Sequence, residues 1–134
     1  MAREMVLGLD LDDVQWEPLA EALAGGETPP SGWLSKLSSD PETGATTVLF
    51  KLPAGFDDGR TETHRVTQEL VLLSGDFSMG AVELRPGTYF CLPPGVVHGP
   101  GRSRGGAVLL SMLSGPFDMT YHDGLRQGDV VAEA

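Results

Sequence analysis

The sequence predicts an all-β fold, either a sandwich or a barrel built from short strands. Turn signals recur about every ten residues from Gly32 onward, a spacing typical of such folds. The 18 Gly and 10 Pro residues are spread along the chain and form no low-complexity tract, as expected of a protein with many tight turns. The sequence lacks the long stretches of helical periodicity that would indicate a helical or mixed fold.

The segments between the turns are rich in β-branched, aromatic and other apolar residues, which favour strands. We predict strands at residues 33–37, 45–52, 61–66, 68–73, 77–84, 88–92 and 107–113. Arg85-Pro86-Gly87 and Pro93-Pro94-Gly95 predict two sharp turns between the later strands.

With 134 residues the chain has the usual size of a single domain, and we expect one core. The barrel is predicted to span residues 32–122. A lead-in arm precedes it at residues 1–31, and a loose polar tail follows it at residues 123–134.

The lead-in arm carries more apolar surface than a free terminal arm should expose. We expect a short strand at residues 6–11, a buried Trp16, and a helical turn or two at residues 17–24 that ends at Gly25-Gly26. Packing of the apolar arm on a second copy of the chain predicts a homodimer, and folding of the arm back onto its own barrel is the alternative. The apolar residues concerned are Val6, Leu7, Leu9, Leu11 and Trp16.

Composition excludes several classes of partner. Nine basic against nineteen acidic residues give a formal net charge of −10, and the basic residues are scattered, so nucleic acid and anionic membranes are not expected partners. No apolar run approaches the ~20 residues that a membrane-spanning helix needs. The N-terminus lacks the apolar core of a signal peptide, and the single Cys91 cannot form an internal disulfide. We therefore expect a cytoplasmic protein.

Polar side chains recur two residues apart in the segment that begins at Glu62. Glu62, His64, Val66 and Gln68 would share one face if the segment is extended, because alternate side chains of a strand point the same way. His98 follows the Pro93-Pro94-Gly95 turn and is placed to approach the same point. Imidazole and carboxylate together are ligands for first-row transition metals, and two His with one carboxylate form the facial triad of non-haem iron sites.

Two segments resemble the sequence motifs of cupins. The second cupin motif is Gly, five residues, Pro-x-Gly, two residues and His, which Gly87, Pro93, Gly95 and His98 match at every spacing. In the first motif, His64 takes the place of the second His, and Gly75 that of the final Gly.

The resemblance extends to small bacterial cupins similar to the zinc-binding domain of ChrR-type anti-sigma factors, through Trp16-Glu17-Pro18 and the segment at 93–100. It implies a double-stranded jelly-roll barrel that holds one divalent transition metal, Fe, Ni, Zn or Mn. The implied metal ligands in this chain are Glu62, His64, Gln68 and His98.

This set departs from the usual three His and one Glu. Glu62 stands where cupins have the first His, and Gln68 stands where they have Glu. The set therefore keeps one negative charge, but at a different ligand position. An amide is a weak ligand for transition metals, and affinity should be lower than for the usual set. Glu69 competes with Gln68 for the fourth corner but would need a β-bulge to face the same way.

Four other residues are not predicted to bind the metal. We expect His122 in a surface loop, and Cys91 as a small core or cavity-wall residue. Arg102 and Arg104 are expected to be solvated loop residues, with a role in binding an anionic substrate as the alternative.

The leading functional hypothesis is a metal-dependent enzyme, of dioxygenase or isomerase type, that acts on a small organic molecule. A metal- or ligand-sensing cupin without catalytic activity, and a degenerate cupin without metal, are the two alternatives.

Overall fold

The computed structural model describes residues 3–23 and 27–131. Nearly all of its regular structure is strand. The strands are β1 (Glu17–Pro18), β2 (Trp33–Ser39), β3 (Thr46–Leu52), β4 (Phe56–Asp57), β5 (Thr61–Thr63), β6 (Gln68–Gly75), β7 (Phe77–Met79), β8 (Val82–Leu84), β9 (Tyr89–Leu92), β10 (Gly101–Ser103), β11 (Ala107–Leu113) and β12 (Thr120–His122). A 3₁₀ turn (Leu11–Asp13) and one helical turn, α1 (Leu19–Ala22), complete the described elements.

The strands form three antiparallel sheets. The largest has the order β1-β2-β3-β11-β6-β9, the second has the order β4-β10-β7-β8, and β12 pairs with β5. Strands distant in sequence lie side by side, since β11 is hydrogen-bonded to both β3 and β6. The all-β prediction is confirmed.

The core lies between the two larger sheets, and the alternating pattern of the strands fills it. Every second residue of β11 is buried, as is every second residue along the first part of β6. Leu72 of β6 and Leu109 of β11 meet Phe77 of the second sheet in one hydrophobic cluster. Burial of each such side chain contributes about 1.5–3 kcal/mol, so the inward faces of the strands supply most of the stabilisation.

The lead-in arm differs from its prediction. Residues 6–11 form no strand, because no neighbouring strand pairs with them, and Val6 and Leu7 are 50% and 89% exposed. The helical turn is limited to Leu19–Ala22, since Glu17–Pro18 pair with β2. The predicted stop at Gly25-Gly26 lies outside the described residues.

Trp16 is half-buried rather than buried. Its ring lies beneath the Lys51 ammonium, with Nζ 5.6 Å from the ring centroid, and Trp33 contacts the same ammonium at 5.7 Å. Part of its ring surface is therefore covered by a cationic side chain on the sheet face.

The segment predicted as a loose tail is attached to the barrel up to residue 131. The backbone N–H of Val97 donates to the carbonyl of Asp129 at 2.8 Å, and that of Val131 donates to Gly95 at 2.8 Å. Its polar sequence suggested a loose segment, but these backbone hydrogen bonds hold it against residues 95–98. Residues 132–134 lie outside the described part of the chain.

The placement of Cys91 corrects a prediction. Cys91 is exposed, and it stands opposite Glu69 on the outer face of the large sheet. Its neighbour Phe90 packs against the core instead. The pairing of β9 with β6 decides which face of β9 turns inward, and the sequence of β9 alone does not carry that information.

Among the described residues, no helix combines the length and the apolar character needed to cross a membrane.

Candidate metal centre

Three of the residues singled out in the sequence come together inside the barrel. Glu62 lies on β5, His64 directly after that strand, and His98 pairs with Glu62 through two backbone hydrogen bonds of 2.9 and 3.0 Å. One ligand atom from each of the three side chains lies within 4.8 Å of the others. The predicted strand at 61–66 ends at Thr63, and the chain bends at residues 65–66, so Val66 packs towards Gly115 rather than on the face of the site.

Both imidazoles are fixed by backbone carbonyls. The Nδ1 of His64 lies 2.6 Å from the carbonyl oxygen of Asp118, and the Nδ1 of His98 lies 3.1 Å from that of Val96. A carbonyl oxygen only accepts hydrogen bonds, so each Nδ1 carries a hydrogen and donates it. The Nε2 atoms of His64 and His98 therefore face each other, 3.1 Å apart, as the two free ring nitrogens.

Burial keeps both imidazoles neutral at pH 7. Removal from water lowers the pKa of His64, and it lowers the pKa of His98 to about 4, with the neighbouring His64 lowering the pKa of His98 further. Two neutral rings in this tautomer present two lone pairs to each other. That arrangement is favourable only with a shared proton or a cation between the nitrogens, so the pair fits a metal ion.

The carboxylate of Glu62 completes a donor set of mixed charge. Its Oε1 lies 3.8 Å from Nε2 of His98, and its buried Oε2 has no hydrogen-bond partner among the described residues. Burial raises the pKa of Glu62 well above its ordinary range, and the nearby Asp58 carboxylate raises it further. An unpaired buried carboxylate is costly, and a cation bound beside it would offset that cost.

Gln68 faces the site, and Glu69 does not. Gln68 is 5% exposed, its Nε2 donates to Ser111 Oγ at 3.0 Å, and it lines the same cavity as His64. Glu69 points to the outer face of the sheet, where its carboxylate accepts a hydrogen bond from Tyr89 Oη. The irregularity in β6 that could turn a side chain around lies far from this position, opposite Val108 and Leu109.

Asp58 and Tyr121 also belong to this region, and neither is predicted from the sequence to have a role in the site. Tyr121 stands opposite Glu62 in the pairing of β12 with β5, and its hydroxyl donates to Asp58 Oδ1 at 2.5 Å. Burial raises the pKa of Asp58 and that of Tyr121. Tyr121 is 63 residues from Asp58 in the sequence, so no local pattern indicates the contact.

His122 lies on β12 rather than in a loop, which corrects its prediction. Its side chain turns away from the centre, as strand alternation after the inward Tyr121 requires, and its Nε2 lies 2.8 Å from Thr63 Oγ1. Arg102 lies on β10 and forms an exposed ion pair with Asp57 at 3.1 Å. Neither Arg102 nor Arg104 lines the small cavity that adjoins Glu62, His64 and His98.

A small cavity of about 70 Å³ adjoins the three metal-ligand candidates. Apart from those residues, Gln68 and Asp58, its lining is apolar. Phe50, Leu70, Phe77, Met79, Leu109 and Phe117 form much of that lining. The site therefore combines a cluster of three polar ligand atoms with an apolar space beside it. A mainly apolar lining with a few polar groups is usual for a small-molecule site.

The sequence profile of the ChrR cupin-like domain matches residues 5–118 of the chain. The chain belongs to the ChrR cupin-like family. A search of curated protein sequences gives no significant match.

Solved structures agree with this assignment. An acetylacetone dioxygenase from Acinetobacter johnsonii aligns with a TM-score of 0.64 and 22% identity, over 96% of this chain and 83% of that one. The anti-sigma factor ChrR, in complex with SigE of Rhodobacter sphaeroides, aligns with a TM-score of 0.57 and 21% identity, over 78% of this chain and 51% of that one.

A Nostoc punctiforme PCC 73102 protein, described as a candidate dioxygenase, aligns with a TM-score of 0.69 and 19% identity. This chain is covered to 90%, but it spans only 42% of that longer chain. These similarities confirm the predicted cupin jelly-roll fold. The activities belong to those proteins, because identities of this size show the fold alone.

Proposed function

We propose that this cupin binds one divalent transition metal, Fe, Ni, Zn or Mn, and uses it as an enzyme on a small organic molecule. Glu62, His64 and His98 hold the metal, and Gln68 stands at the fourth corner. The observation that carries the proposal is the facing pair of Nε2 lone pairs, 3.1 Å apart, beside a buried carboxylate oxygen without a partner.

When bound, the metal would supply Lewis-acid catalysis or, as a redox ion, reaction with dioxygen. The protein's own part is to fix the two imidazoles through the carbonyls of Val96 and Asp118, so that both lone pairs stay aimed at one point. Gln68 would be a weak ligand for the metal, because an amide binds transition metals less strongly than a carboxylate does. The apolar lining keeps water from the reacting molecule.

Similarity supports a reaction of dioxygenase type, since an acetylacetone dioxygenase shares the fold at similar length. A reaction of isomerase type rests on the Lewis-acid chemistry that the metal would supply. A second function, metal or ligand sensing without catalysis, is supported by the family itself, because the ChrR relative was solved in complex with SigE. The two functions share the metal centre and differ in whether a bound molecule is converted.

The test begins with elemental analysis of protein purified without chelator. We expect close to one transition metal per chain, and uptake of Fe(II), Ni(II) or Zn(II) by chelator-treated protein. Oxygen uptake by the Fe(II)-loaded protein is then measured with pentane-2,4-dione and a panel of enols. Consumption supports the enzyme, and binding without consumption of any member supports the sensor. Absence of metal, with no uptake on addition, contradicts both.

We also propose that the protein is a homodimer. Arg3 holds the start of the described arm on its own sheet, donating to Ser38 Oγ at 2.7 Å and to Thr47 Oγ1 at 2.8 Å. The arm residues Met5, Val6 and Leu7 nevertheless remain 86%, 50% and 89% exposed. Such an apolar segment is usually covered by a partner, and two-fold dimers are the commonest oligomers. Light scattering at micromolar concentration should give twice the chain mass of 14.2 kDa. A mass near that of one chain refutes the dimer.

A further inference from the structure

The cavity beside the candidate metal centre is small, and few of its lining residues are charged. Its volume is about 70 Å³, which corresponds to about two water molecules at about 30 Å³ each, so only a small molecule fits without a change in the lining. Asp58 and Glu62 are acidic, so they disfavour an anion, and the apolar remainder of the lining offers a charged group no compensation.

A much larger groove lies on the other side of one short segment. This outer groove has a volume of about 710 Å³ and carries both charged and apolar side chains, among them Lys36, Arg65 and Leu34. Phe117 and Met119 are the two residues that line both the outer groove and the inner cavity. Their side chains therefore stand between the two spaces.

Phe117 is the more exposed of the two. It is half-buried, whereas Met119 is 8% exposed, and it lies in residues 114–119, which form neither helix nor strand. Its ring contacts Phe50, with centroids 5.9 Å apart, and His64 at 5.4 Å. Because Phe117 lies outside the strands, a change of its side chain breaks no strand hydrogen bond.

The opposite wall of the inner cavity is built differently. Phe56 and Phe77 separate it from another groove, but both residues lie on strands and are 6% and 8% exposed. Gly101 packs so closely on Phe77 that a Cβ at this glycine would lie 2.7 Å from the ring. Movement there would require the second sheet to open.

The backbone next to Phe117 is held in place. The carbonyl of Asp118 accepts the hydrogen bond from His64, and its carboxylate accepts the backbone N–H of Arg65 at 3.0 and 3.2 Å. A change confined to the Phe117 side chain therefore leaves the contact that orients His64 intact.

On the basis of the proposed function, we infer that Phe117 is a specificity-determining residue. Its ring limits the ligand of the metal centre to a small, uncharged, mainly apolar molecule that enters from the outer groove. A smaller side chain at this position joins the two spaces and admits larger apolar molecules.

The test uses a large neutral dye, N-phenyl-1-naphthylamine, whose fluorescence rises in apolar surroundings. Wild-type protein, Phe117→Ala, Phe117→Leu and the matched control Phe90→Ala are titrated with the dye, both as purified and after chelator treatment. Phe90 is a partly buried phenylalanine on β9 that does not line the cavity. Circular dichroism and cooperative unfolding verify the fold of each variant.

We expect saturable binding of one dye per chain for Phe117→Ala, weaker binding for Phe117→Leu, and none for wild type or Phe90→Ala. Should Phe117→Ala not fold, Phe117→Leu decides. Equal binding by wild type and Phe117→Ala overturns the inference, and so does absence of binding in folded Phe117→Ala and Phe117→Leu. Because the chelator-treated protein gives the same comparison, this result is independent of whether a metal binds.

Discussion

Replacement of His98 by Ala is expected to weaken metal binding by about 100-fold or more, since it removes a ligand rather than a group behind a ligand, whose loss already costs 10–100-fold. The measurement is competition for Zn(II) or Co(II) against a chromophoric chelator. His122→Ala is the matched control, because His122 lies on β12 with its ring turned to Thr63 and away from the centre. His122→Ala should keep the wild-type affinity.

The same assay tests the corners assigned to Glu62 and Gln68. Glu62→Ala should lower affinity as His98→Ala does, because the ligating carboxylate is lost. Glu62→His combined with Gln68→Glu restores the usual cupin set and should bind metal more tightly than wild type. If Glu69→Ala lowers affinity far more than Gln68→Ala, the assignment of the fourth corner is wrong, although Glu69 points outward in this structure.

The second large effect is expected in the metal-free protein, where Glu62→Gln should stabilise the fold at pH 8. At pH 8 the buried carboxyl group must either be ionised, with Oε2 unpaired among the described residues, or hold a proton that it would lose in the unfolded chain. Either state costs stability, and a buried unsatisfied group costs about 1–3 kcal/mol. The amide has nearly the same shape and no charge to bury. Metal affinity should fall in the same variant, so stability and binding should change in opposite directions.

The pH dependence gives this prediction its sign. The folded-state pKa of Glu62 is raised above its ordinary value of 4.5, so its contribution to stability is present below that value and is lost as pH rises through the raised pKa. The advantage of Glu62→Gln should therefore be large at pH 8 and shrink towards pH 5. Urea unfolding at both pH values measures it.

The prediction concerns the difference in the free energy of unfolding between Glu62→Gln and wild type at each pH. The lowered pKa of His98, about 4 against 6.5, acts in the opposite direction on both proteins, and its contribution to stability is lost as pH falls. A Glu62→Gln variant that is less stable than wild type at pH 8 would show that the carboxylate is not strained in the metal-free fold.

The strand content and the nearness of Glu62 to His64 were predictable because they depend on local sequence, since alternating apolar residues and regular turns specify strands. The jelly-roll barrel was predicted from the resemblance to cupins, which the spacing from Gly87 to His98 carries. Glu62 and His64 were found together because two-residue spacing puts side chains on one face, even though the strand itself ends at Thr63.

The remainder depends on contacts between distant segments. The outward position of Cys91 follows from the register of β9 on β6, and the contact of Tyr121 with Asp58 follows from the pairing of β12 with β5. Phe117 in its turn is placed over His64 by the hydrogen bonds of Asp118. No single segment carries the information for any of these contacts.

A crystal structure of the Ni(II)- or Zn(II)-loaded protein, with anomalous diffraction recorded at the metal edge, tests the central claim most directly. We expect one anomalous peak per chain, bound by Nε2 of His64, Nε2 of His98 and a carboxylate oxygen of Glu62, with Gln68 as the nearest further side chain. The two Nε2 atoms, which lie 3.1 Å apart in this structure, should both bind the ion. A peak at any other position, or none in protein soaked with the metal, would contradict the account.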